Sequence, residues 1–173
     1  MASSLSYRIA EQVEKASHLY HRLVLVTGPP RSGKTSALRE LHAEHGWPLV
    51  NLNLTLSEKL LELTTRQRAL RAAQVVDDIV AQHDAATVML DNIEMLFHPD
   101  LKLDPLRLLQ SLSRNRTIVA TWRGVQSGQS LIYAVPDHPE YRRCDDPQAL
   151  IVSTIGAHPL DSGSSSAAQE HSA

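Results

Sequence analysis

An α/β fold, with a mostly parallel sheet held between helices, follows from three features of the 173-residue sequence. Short runs rich in Leu, Val and Ile alternate with helical stretches along most of the chain, an order that builds parallel strands buried on both faces. Residues AVILMFWYC make up 42% against 21% for DEKR, the balance of a globular domain. Only 4% is aromatic, which leaves Leu, Val, Ile and Ala to fill the core. The length suits one domain, placed at residues 1–160, ahead of a disordered tail at 161–173, DSGSSSAAQEHSA, which has nothing apolar larger than alanine to bury.

The elements are legible in order. Ile9, Val13, Ala16 and Tyr20 recur at spacings of three and four, the period of an amphipathic helix. RLVLVTG, Arg22 to Gly28, reads as the first strand, and SALRELHAEHG after it as a helix stopped by Gly46. A second strand is expected from Pro48 to Leu52. Thr55 and Glu58 then form a T-x-x-E capping box, expected to open a long helical stretch to about Gln82, broken at Thr64-Thr65. The third strand is Thr87 to Leu90, a helix from Pro105 to Leu112 carries Leu106, Leu109 and Leu112, and the fourth strand is Thr117 to Thr121. A weaker strand is expected from Ser130 to Val135, then a Pro-rich charged stretch, then one more strand from Ala149 to Thr154.

The sequence GPPRSGKT fits G-x-x-x-x-G-K-T and lies between the first strand and its helix, the context a phosphate-binding loop requires. Gly28, Pro29, Pro30, Arg31, Ser32, Gly33, Lys34 and Thr35 are therefore the candidate nucleotide-binding residues. The glycines let the backbone curl so that N–H groups face phosphate oxygens at the positive end of a helix. Lys34 would reach the β- and γ-phosphates, and the Thr35 hydroxyl would meet Mg²⁺. These residues refine the fold class to a P-loop NTPase three-layer sandwich.

TVMLD ends the third strand with Asp91, placed to hold magnesium through a water molecule beside that loop. The segment matches a Walker B motif. Many AAA+ ATPases continue with a glutamate that polarises the attacking water; this chain reads Asp91-Asn92-Ile93-Glu94. Asn92 can orient water but cannot accept its proton. Glu94 is open to two readings, the catalytic base or an exposed acid on the following turn. Thr121, ending the fourth strand, stands where AAA+ proteins place a polar sensor of the γ-phosphate, and is equally an ordinary strand residue. Only 52 residues follow Thr121, so an AAA+-like core lacking a full helical lid is expected. ATP is favoured over GTP, because no N-K-x-D base-reading motif follows the fourth strand.

Seventeen Lys and Arg against nineteen Asp and Glu give a net charge of −2, which excludes a surface that is cationic throughout. From Pro105 to Pro136, however, there is no acid, and Arg107, Arg114, Arg116 and Arg123 lie there. These arginines are read as solvated charge, as a nucleic-acid contact, or as groups acting in trans on a neighbour's nucleotide; Arg114 and Arg116, then Arg123, are the candidates for the last role. The pairs His18 with His21 and His42 with His45 are each spaced to share a helix face, but no cysteine or H-E-x-x-H context makes them metal ligands. Cys144 stands alone, and with no leader pattern or membrane-length apolar run a cytoplasmic protein is expected.

Over roughly residues 5 to 153 the chain resembles the BrxF family of small P-loop proteins from type 3 BREX bacteriophage-defence systems. The resemblance rests on GPPRSGKT, on MLDNIEMLF from Met89 to Phe97, and on TIVATWRG from Thr117 to Gly124. It implies an ATP-binding component of a multi-protein complex that blocks phage replication and involves host DNA methylation, with other proteins of that system as partners. Self-association and a direct DNA contact are expectations read instead from the missing lid and the acid-free arginine segment. Mg²⁺-dependent ATP hydrolysis, slow for want of a glutamate after Asp91, is the expected activity. A nucleotide-binding scaffold with little hydrolysis and a small-molecule phosphotransferase are the alternatives.

Overall fold

The computed structural model describes residues 4–127, 129–133 and 142–154. The Ser-rich tail, part of the charged stretch and the end of the Ser130 to Val135 run lie outside the described residues. Helices α1 (Leu5–Ala16), α2 (Lys34–His45), α3 (Leu52–Leu60), α4 (Thr65–Ala81) and α5 (Pro105–Leu112) surround strands β1 (Leu23–Gly28), β2 (Leu49–Asn51), β3 (Thr87–Asp91), β4 (Thr117–Ser127), β5 (Ser130–Tyr133), β6 (Arg142–Asp145) and β7 (Leu150–Ser153). The order β2-β3-β4-β1-β7 is parallel throughout. This is the α/β architecture with a mostly parallel sheet that the sequence predicts.

Period-two alternation assigns each strand residue to a layer. Leu23 and Leu25 pack with Val88, Leu90, Ile118 and Ala120 under Leu56, Val76, Ile79 and Leu109 of α3, α4 and α5. Val24 and Val26 face the other way, meeting Met89, Val119 and Val152 under Ile9 and Val13 of α1 and Leu38 and Leu41 of α2. Because β1 lies between β4 and β7, its six residues are buried on both faces and its C-terminal end emerges mid-sheet. Ligand crevices of parallel sheets open at that end.

Four local expectations are corrected. α1 ends at Ala16, so Tyr20 lies beyond the helix and is 68% exposed, with the Arg114 guanidinium 5.2 Å from its ring centroid. The strand expected to reach Leu52 stops at Asn51, whose side chain caps α3 by accepting from the Leu54 N–H at 3.2 Å. The Thr55 and Glu58 pair therefore falls inside α3; the capping box is formed by Thr64 and Gln67 at the start of α4, and the break at Thr64-Thr65 is where it was expected. Arg68 closes the junction by donating to the carbonyls of Leu60, Leu61 and Leu63. Lastly, β4 continues past Thr121 to Ser127, and its outer half pairs antiparallel with β5, which pairs with β6. Gly124 permits this hairpin, since a methyl group there would collide with the Ile132 carbonyl.

Phe97, Trp122 and Tyr133 seal the base of the hairpin. Phe97 stacks on Tyr133 with ring centroids 3.5 Å apart and meets Trp122 edge-on at 5.0 Å. The Trp122 indole donates to the Ile132 carbonyl at 3.2 Å, which gives its one polar atom a partner inside the core.

Candidate functional site

The C-terminal ends of β1 and β3 and the middle of β4 surround a cleft of about 640 Å³ lined by Arg31, Lys34, Thr35, Asp91, Asn92, Glu94, Thr121 and Arg123 among others. The loop from Gly28 to Thr35 spans β1 and α2 as expected. A side chain at Gly28 would strike the Thr154 hydroxyl and come within 2.7 Å of the Ser32 hydroxyl, so the loop passes close against the end of β7. Gly33 sits at φ 96°, a left-handed conformation that favours glycine. No side chain caps the first turn of α2. Its opening N–H groups and the positive end of its dipole are thus available to an anion.

Lys34 crosses the loop, its ammonium donating to the carbonyls of Gly28 at 2.7 Å and Pro29 at 2.6 Å. Burial and then the Arg123 charge hold its pKa below the ordinary lysine value, while Glu94 and Asp91 oppose the shift. A lysine in that state gains by meeting further negative charge.

Asp91 organises the floor. It is 6% exposed, and it accepts from the Thr35 hydroxyl at 2.7 Å, the Thr121 hydroxyl at 2.9 Å and the Asn92 N–H at 2.9 Å. One carboxylate therefore joins the loop, β3 and β4. Thr121 is aimed at Asp91, so what it does for the cleft in this structure is hold that carboxylate.

Asn92 has φ 53°, in the left-handed region. Its N–H is held by Asp91 and its carbonyl accepts from the Asn53 N–H at 2.8 Å. Asparagine tolerates this conformation better than glutamate does, so a tight turn accounts for the residue that follows Asp91. That turn swings Glu94 into the cleft, at the head of a 3₁₀ helix from Glu94 to Phe97. The Glu94 carboxylate accepts from the Asn53 amide at 3.0 Å and lies 3.3 Å from the Arg123 guanidinium. Asn53 also accepts from the Met95 N–H at 2.8 Å, clamping the turn at both ends. Asn53 is a residue the sequence reading missed. Its signal was a polar residue just beyond the C-terminal end of a parallel strand, where parallel sheets place their ligands.

The three candidate arginines separate. Arg114 and Arg116 precede β4 and so lie at the opposite end of the sheet from the cleft; only Arg123 lines it. Arg116 donates to the carbonyls of Val80 at 3.3 Å, His83 at 2.6 Å and Ala85 at 3.5 Å, tying down the chain beyond α4. Arg116→Ala is accordingly expected to cost about 1–2 kcal/mol of stability through lost charged hydrogen bonds. Denaturant titration would show a lower midpoint, and nucleotide affinity should stay within a factor of about two. His42 and His45 share α2 as expected, but His18 and His21 lie beyond the end of α1 and so share no helix face. A ring nitrogen of His21 donates to the Gln110 carbonyl at 3.1 Å and one of His42 to the Trp47 carbonyl at 2.7 Å.

Among the described residues no helix is long and apolar enough to cross a membrane. No family model and no curated protein matches the chain. A solved structure, that of C. elegans PCH-2, is similar at a TM-score of 0.38 and 17% identity, over 86% of this chain and 41% of that one. The chain thus spans less than half of that neighbour's length, and the likeness is too distant to bear on function.

Proposed function

We propose that this chain is an ATP-binding P-loop NTPase subunit that hydrolyses slowly and works as a nucleotide-dependent switch or assembly factor in a multi-protein BREX phage-defence complex. The observation that carries the nucleotide reading is the convergence of Lys34, the uncapped start of α2, and the Thr35 and Asp91 pair on one cleft. Their chemistry fits the proposed ligands: an ammonium and a helix N-terminus for phosphates, a hydroxyl and a carboxylate for a hard divalent cation. Arg31, Ser32 and the flanking glycines and prolines would shape the phosphate cradle. When bound, Mg²⁺ would neutralise phosphate charge, with Thr35 and Asp91 holding it, Asp91 through water. The BREX assignment draws its support from the GPPRSGKT, MLDNIEMLF and TIVATWRG segments, and with it come other proteins of that system as proposed partners; further copies of this chain and DNA are proposed beside them.

Slow turnover follows from how Glu94 is held. A carboxylate already engaged by Asn53 and Arg123 is poorly placed to take a proton from water until one of them lets go. The scaffold reading draws on the same engagement. Multiple-turnover phosphate release with ATP and Mg²⁺ tests both: slow release that stops in Lys34→Ala supports an ATPase, and none above background supports the scaffold. Glu94→Gln keeps the shape and removes the proton acceptor, so turnover should fall by about 10²-fold while ATP affinity does not fall.

A further inference from the structure

We propose that Arg123 is the residue by which this chain tells a nucleoside triphosphate from a diphosphate, exchanging its ion pair with Glu94 for the terminal phosphate held by the chain's own loop. The inference rests on the nucleotide-binding reading above and adds to it a sensing residue and a consequence.

Arg123 follows Thr121 by two residues on β4, where the strand passes from the parallel sheet into the hairpin, and lines the cleft. Its guanidinium lies 3.3 Å from Glu94, with half of the Arg123 side chain exposed and less than a quarter of Glu94. It also acts electrostatically on Lys34, the group that would hold the same terminal phosphates. Arg31, Lys34 and Arg123 stand against Asp91 and Glu94, so the charges lining the cleft balance to a net +1. A triphosphate disturbs that balance where Arg123 and Glu94 meet: phosphate repels the carboxylate and attracts the guanidinium, whose planar fork matches phosphate oxygens. An ion pair so open to water stabilises little and is readily exchanged. A diphosphate, ending one phosphate earlier, leaves the pair in place.

The exchange leaves Glu94 held by Asn53 alone, so the terminal phosphate removes one of the two restraints on the proton acceptor while the Asn53 amide still slows turnover. It also has a built-in reporter. Phe97 belongs to the same 3₁₀ turn as Glu94 and touches Trp122, the neighbour of Arg123, so movement of the turn changes the indole's surroundings.

The test compares affinities for ADP and for a non-hydrolysable ATP analogue, each with Mg²⁺, alongside Trp122 fluorescence in a Trp47→Phe background. Arg123→Ala should weaken analogue binding by about 10- to 100-fold and ADP binding by less than about threefold. Arg123→Lys should recover part of the loss by restoring the charge without the fork. Glu94→Gln should tighten analogue binding several-fold when Arg123 is present and not when it is alanine, a coupling that a purely structural role would not produce. The analogue, and not ADP, should shift Trp122 emission, and Arg123→Ala should remove that shift. Equal losses for both nucleotides, no loss for either, or absence of the Glu94 coupling would overturn the assignment. Recovery of analogue binding on mixing Arg123→Ala with Lys34→Ala chains would move the arginine to a neighbour's site and overturn it too. If the unaltered chain binds neither nucleotide, the nucleotide reading itself falls, and this proposal with it.

Discussion

Lys34→Ala should weaken ATP binding by at least about 10²-fold, the scale set by removing a charged hydrogen-bond donor to phosphate from a site that excludes part of the solvent. The ammonium already sits across the loop on the Gly28 and Pro29 carbonyls, so little reorganisation is needed to transfer it to phosphate. Lys34→Ala also removes the ammonium's two hydrogen bonds to the loop carbonyls, so its melting temperature is measured beside its affinity. A pH signature accompanies the loss. Burial, then Arg123, lowers the Lys34 pKa from 10.5, and bound phosphates would draw it back up. Affinity is therefore greatest while free Lys34 is protonated and falls as pH rises through its depressed value; Lys34→Ala should show no such fall. Titration calorimetry at several pH values measures both effects, and unchanged affinity in a folded variant would remove Lys34 from the site.

Asp91→Asn should remove the Mg²⁺ dependence of ATP binding and lower turnover by about 10²-fold or more, since the carboxylate charge that would hold the metal's water is lost. Asparagine is the informative substitution because Asp91 has a structural duty as well. It satisfies Thr35, Thr121 and the Asn92 N–H together, and alanine would leave the buried Thr121 hydroxyl without its acceptor and the half-buried Thr35 hydroxyl and Asn92 N–H to the solvent of the cleft. The penalty is about 1–3 kcal/mol for the buried hydroxyl left unpaired. Asp91→Asn should therefore melt within a few degrees of the unaltered chain while Asp91→Ala melts well below it. Retained Mg²⁺ dependence in Asp91→Asn would contradict the metal role.

The sequence reading succeeded where a local signal and the tertiary structure agree. Pro105 to Leu112 is helical as expected because Asp104 caps it, proline starts it and leucines recur at spacing three. TVMLD and LVLVTG are short apolar runs that only a buried strand accommodates. It failed where two local signals competed. Thr55 and Glu58 have the right spacing for a cap, but Asn51 starts the helix earlier and the box falls in its interior. The outer half of β4 was invisible because Arg123, Gly124, Gln126 and Ser127 have no core face to declare; they are ordered by pairing with β5. Glu94 could not be decided from the sequence alone, since only the left-handed turn at Asn92 shows that it enters the cleft. The place of the arginines relative to the chain's own cleft was decidable: residues before a parallel strand lie at the end away from the ligand crevice and residues after it lie near, which puts Arg123 beside that cleft and has no bearing on a role toward a neighbour's nucleotide.

The central claim is that the Gly28 to Thr35 loop holds the phosphates of ATP. Amide hydrogen exchange on the full chain, with and without a non-hydrolysable ATP analogue and Mg²⁺, addresses that loop directly, because its N–H groups are the proposed ligands. The account predicts slowing of at least about tenfold at residues 31–36, with smaller slowing at 91–94 and 121–123. Unchanged exchange at residues 31–36 under saturating analogue, or protection confined to another surface, would contradict it.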